Sequence, residues 1–228
     1  TTEQLNYQLD RVGGHFAAFT VVLLIWIVAA GVTYAWPALT DGKLAFGKRP
    51  LIGLITGALV AIGVFAAISF VNIGLVRADI IYKQGQQFDS QKNWVNSVEL
   101  YRRALAARET EDHYMLFLGR ALLEQAKAST ATTEAVTFPE QPKLSDVLDL
   151  RPEQVGAMSQ QQLLRAAEAV LLQAQRVNPL NTDHTANLAR LYRTWGDLSS
   201  ADPALRQEML DRSIAQYQAA VMLSPQAA

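Results

Sequence analysis

Cysteine is absent from the 228 residues, which excludes disulfides, thiolate nucleophiles and thiolate metal sites. No glycine-rich phosphate loop, HExxH pair or nucleophile elbow occurs either. Basic charge is in short supply, with 20 Lys and Arg against 21 Asp and Glu. Because these are scattered, nothing forms the basic stripe that phosphate neutralisation requires, and nucleic acid is excluded as a partner. No motif implies a cofactor, a catalytic group or a metal ligand set. The chain as given reads as a non-enzyme.

Charge is scarcest in the first third. Phe16 to Thr40 and Pro50 to Val76 contain no charged residue at all. A helix needs roughly 20 apolar residues to cross the hydrocarbon layer of a bilayer, so each run is long enough to span it. The sequence therefore predicts an N-terminal tail over 1–15 and a two-helix anchor over 16–76. The spans are about 16–38 and 51–76, joined by a loop over 39–50. Gly53, Gly57 and Ala61 recur at four-residue spacing, and a stripe of small residues lets a second helix approach closely. The first span is the expected neighbour, and a different protein is the alternative. Lys43, Lys48 and Arg49 crowd the short loop, which by the positive-inside rule puts it in the cytoplasm and the C-terminal region outside. The expectation is a two-pass bacterial membrane protein whose partners are the lipid bilayer and other membrane or membrane-associated proteins.

Beyond Val76 the pattern changes to apolar residues at steps of three and four, the period of amphipathic helices. Gly85, Phe88, Trp94, Tyr101 and Ala104 occupy the small, aromatic and alanine positions of a tetratricopeptide repeat (TPR), and Gly119 follows one 34-residue period after Gly85. Small residues belong where two helices come closest, and aromatics fill the space between them. Ala167, Leu171, Ala174 and Pro179 keep the spacing of a back helix and its stop. Ala189 and Tyr192, then Ser213, Tyr217, Ala220 and Pro225, supply a third pair. The predicted fold is all-α: two transmembrane helices followed by an α-solenoid of about three TPR-like helix pairs over 77–228. Its repeats cover about 78–110, 111–180 with an insertion at 127–160, and 181–226 with an insertion at 197–204. Asp202 is expected to cap a helix starting at Pro203, Ser145 to cap a short turn, and Pro152–Val155 to be helical.

Two Asp–His pairs, Asp112–His113 and Asp183–His184, suggest chemistry at first sight. Both aspartates fall where front helices begin, so N-terminal capping is the expectation and convergence on a metal the alternative. Glu99 and Glu124 read as solvated. Arg120 follows Gly119 and Arg190 follows Ala189, with Arg193 one turn further on. Front helices line the concave face of a tetratricopeptide array, where guanidinium groups suit a partner's carboxylates. Pairing with acids such as Asp183 or Glu124 is the competing reading.

Two apolar runs feeding VRADIIYKQGQQF, then YRRALAARETEDHYMLFLGRALLEQA and NPLNTDHTANLARLYR, resemble the last membrane helices and tetratricopeptide tail of bacterial O-antigen ligase/polymerase-like proteins of filamentous phototrophs. That family joins lipid-linked glycans through residues in many-span regions, and none of those residues carries over to a position in this chain. The leading functional expectation is a membrane-anchored scaffold for protein–protein interaction. The alternatives are the C-terminal region of such a glycan-transferring enzyme and an accessory subunit of a photosynthetic or respiratory complex. The chain opens on Thr1, consistent with a fragment, a processed product or a stand-alone relative.

Overall fold

The computed structural model describes residues 74–131 and 135–224, together with residues 7, 11, 14, 18–26, 29 and 33, all of the latter helical. The chain divides into two compact units, residues 1–77 and 78–228. The described residues contain helices and no strand. From Gly74 onward the helices are α1 (Gly74–Ser90), α2 (Trp94–Ala107), α3 (Asp112–Ala128), α4 (Leu144–Leu148), α5 (Pro152–Ala157), α6 (Gln160–Val177), α7 (Thr182–Leu198) and α8 (Pro203–Leu223).

Among the described residues no helix is long and apolar enough to cross a membrane. This overturns the expected location as a two-pass bacterial membrane protein, and with it the placing of the C-terminal region outside the cell. Where the second apolar run ends, α1 carries Arg77, Asp79 and Lys83 within two turns, the last two paired at 2.7 Å. The loop 39–50, most of the expected span 51–76 and the stripe Gly53, Gly57, Ala61 lie outside the described residues.

The second unit is solenoid-like. Its helices pair where small residues permit contact. A Cβ on Gly85 of α1 would stand 2.6 Å from Tyr101 Cε1 of α2, and one on Gly119 of α3 would stand 2.5 Å from Leu171 Cγ of α6. Between α7 and α8 the contact is made by Ser213, whose hydroxyl donates to the Ala189 carbonyl at 2.8 Å. Successive pairs then pack together, α2 against α3, α6 against α7, and α3 against α7. Leu100, Leu105, Leu118, Leu122, Leu163, Leu164, Leu188 and Leu191 fill the spaces between helices and are fully buried.

The long insertion folds back onto the array. Val147, Leu150, Val155 and Met158 are buried, and hydrogen bonds tie the segment to the flanking helices. Ser129 donates to the Met158 carbonyl at 3.1 Å, Gln160 to the Ala126 carbonyl at 3.1 Å, and Gln162 to the Val136 carbonyl at 2.6 Å. Arg102 of α2 donates to the Leu148 carbonyl, tying α4 to the first helix pair.

Helix starts are partly as expected. Asp202 accepts from the Ala204 and Leu205 amides at 3.1 Å, with Pro203 as the first helical residue, whose missing N–H costs nothing at that position. Ser145 does not cap α4. That helix starts one residue earlier, at Leu144, and Asp146 accepts from the Lys143 amide at 2.7 Å.

Candidate functional site

The site is built from α1, α3 and α7. Arg120 is exposed on α3, and its guanidinium carbon lies 5.1 Å from the Phe117 ring centre. Stacking of this kind occupies the flat face of the guanidinium and leaves its in-plane N–H groups for a ligand. Arg190 occupies the equivalent place on α7, after buried Ala189, and donates a 3.4 Å hydrogen bond to Asn187 Oδ1. Arg193, one turn on, is also exposed.

None of the three arginines forms an ion pair among the described residues. Of the two acids expected to compete for them, Asp183 forms no ion pair among the described residues and Glu124 is engaged by another cation. Glu124 pairs with Lys127 at 2.5 Å and Asp112 with His184 at 2.6 Å. Since α3 packs on α7, the structure brings Arg120 and Arg190 onto neighbouring helices.

Beside Arg120 stands a cluster of rings absent from the sequence reading. Tyr82 of α1 lies 5.1 Å from His113, from Tyr114 and from Phe117, stacked on Tyr114 and edge-on to Phe117. The Tyr82 hydroxyl sits 2.9 Å from His113 Nε2 and accepts from Gln86 Nε2 at 2.7 Å. Burial, helped by Asp79 and Asp89, pushes the Tyr82 phenol up to about 12. Tyr101 donates to Asp89 at 2.6 Å, and burial together with that bond also pushes its phenol upward.

The Asp–His pairs turn out differently from either expectation. Asp112 does not cap α3. The capping position is Glu111, without a side-chain bond, and Asp112 instead accepts from His184 Nε2 at 2.6 Å, Asn178 at 2.9 Å and Asn181 at 3.4 Å. It is a bridge between two helix pairs. Burial raises the Asp112 carboxyl, but the bonds from His184, Asn178 and Asn181 outweigh it and hold the group below the usual carboxylate value. Asp183 is not a cap either: Asn181 caps α7 and accepts from the Asp183 amide at 3.0 Å. Asp112 and His184 thus meet across the two pairs, but no group of three or more potential metal ligands exists among the described residues.

Glu99 is corrected as well. It is buried rather than solvated, and holds Arg102 at 2.7 Å and Arg103 at 2.5 Å. The Arg102 side chain that it orients is the one that reaches the insertion.

No protein-family model matches the chain, and no curated protein matches it in sequence.

Proposed function

We propose that residues 78–228 form a tetratricopeptide-type scaffold that holds an acidic segment of another protein and performs no chemistry of its own. The observation that carries this reading is the pair Arg120 and Arg190: exposed, equivalently placed on packed helices, and without ion-pair partners among the described residues. Two cations on neighbouring helices call for two anions, so acidic side chains along a segment fit better than a single C-terminal carboxylate. Arg193 extends the same face towards the end of α7. The planar fork of each guanidinium accepts a carboxylate through two parallel N–H bonds.

The test uses the full chain and a fluorescent hexaglutamate peptide, amidated so that it has no terminal carboxylate, with hexaglutamine as control. Hexaglutamate should bind more tightly, and Arg120→Ala and Arg190→Ala should each weaken it about fivefold, the effect of one solvent-facing charged contact of about 1 kcal/mol. Equal binding of both peptides, or arginine variants that bind like the parent while remaining helical, would overturn the reading.

A further inference from the structure

Resting on that reading, we infer that His113 is a second, pre-oriented donor of the Arg120 subsite, which therefore takes two acidic side chains at alternate positions of an extended segment. Tyr82 has one phenolic proton to donate. Its hydroxyl accepts from the Gln86 Nε2 amino group, which can only donate, and its own proton then has His113 Nε2 as its acceptor among the described residues. The phenol keeps that proton at neutral pH because its burial holds it well above its ordinary range.

An imidazole that accepts at Nε2 carries its own hydrogen at Nδ1. His113 is exposed, and Nδ1 has no partner among the described residues. The result is a ring with one unused donor, held in place on two sides. Tyr82 stands 5.1 Å away at 61°, and Phe117 stands 4.9 Å away.

His113, Phe117 and Arg120 follow one another at spacings of four and three, so they share one face of α3. The imidazole and the guanidinium are each close to the Phe117 ring, at 4.9 and 5.1 Å from its centre, so they lie within roughly 10 Å of one another. In an extended chain, side chains on one side recur every ~6.8 Å. Two acidic residues separated by one other therefore reach Arg120 and His113 together, with the half-buried Phe117 ring under the stems between them. Adjacent acids would point to opposite sides and could not.

Two measurements on the full chain test this. Long-range proton–nitrogen spectra of its three histidines should show His113 as the Nδ1–H tautomer, and Tyr82→Phe should shift it towards the Nε2–H form. An amidated (Glu-Ala)3 peptide should bind more tightly than Glu-Glu-Glu-Ala-Ala-Ala, which has the same composition and charge. His113→Ala should erase that preference, weakening the alternating peptide about fivefold. An Nε2–H tautomer in the parent chain, or a preference unaffected by His113→Ala, would overturn the inference. If hexaglutamate binding still depended on Arg120 and Arg190, the acidic-segment reading would stand without it. Failure of any acidic peptide to bind would remove both.

Discussion

Asp112 Oδ2 and His184 Nε2 lie 2.6 Å apart although 72 residues separate them, and the imidazole is fully buried. With Asn178 and Asn181 on the same carboxylate, this contact fastens the start of α3 to the start of α7, the two helices that carry Arg120 and Arg190. A bridge at the start of the helices sets how the two guanidinium groups are presented about two turns further along.

The bridge makes stability depend on acidity. Because the folded carboxyl of Asp112 titrates below its unfolded value, its contribution is fully present above about pH 4 and fades as pH falls through the folded value. Urea midpoints of the parent should fall with acidification across that window. Asp112→Asn should be about 1–3 kcal/mol less stable at pH 7 and should lose less on acidification. A variant with the parent's pH profile would contradict the bridge.

Gly119 should tolerate no side chain. Ala has a helix propensity about 1 kcal/mol better than Gly, but its Cβ would sit 2.5 Å from Leu171 Cγ, a branch point that cannot swing away. Overpacking of this kind costs about 1–3 kcal/mol, so Gly119→Ala should lower the thermal midpoint. Gly85→Ala should behave alike, because the Tyr101 ring it meets is tethered through its hydroxyl to Asp89. A rise in either midpoint would mean that propensity outweighs packing.

Glu99→Ala would leave Arg102 and Arg103 without their shared carboxylate inside a nearly closed site. Because both arginines are part-exposed, the loss should be about 1–3 kcal/mol. The local signature should be faster amide exchange in α4, since Arg102 then loses the orientation that bonds it to the Leu148 carbonyl. Unchanged exchange across Leu144–Leu148 would show that the insertion is held by its apolar contacts alone.

Lys92 adopts the left-handed conformation, with φ of 57°, in the turn joining α1 to α2. A side chain pays about 1–2 kcal/mol there and glycine does not. Its own hydrogen bond runs from the backbone amide to the Asp89 carbonyl at 2.9 Å and survives substitution. Lys92→Gly should therefore be as stable as the parent or up to about 1 kcal/mol more so in urea unfolding. A clear loss would assign the Lys92 side chain a role beyond the turn.

What could be read from the sequence was what depends on neighbours within a turn or on a recurring small residue. Gly85 and Gly119 identify close contacts because only a missing side chain lets helices approach so far, and the next helix is forced to meet them there. Asp202 could be assigned because a cap bonds to amides two and three residues on. Asp112 and Asp183 misled for the same reason: they stand at helix starts, but Asn181 is the cap of α7, and the partner of Asp112 lies one helix pair away. Glu99 looks solvated on a helical wheel because the insertion that covers Arg102 has no visible period in the sequence. The Tyr82–His113 contact was equally hidden, since it joins residues 31 apart on two helices whose relative rotation comes only from packing. The apolar runs of the first third were read by length and lack of charge, and that reading did not extend to any described helix.

The account stands or falls on whether acidic segments settle on the face of α3 and α7. The most direct measurement is amide chemical-shift mapping of the full chain during titration with amidated hexaglutamate. The account predicts saturable shifts concentrated around His113, Phe117 and Arg120 on α3 and around Arg190 and Arg193 on α7. Shifts that instead gather on α8 or on the insertion between α3 and α6, or that fail to saturate anywhere, would contradict it.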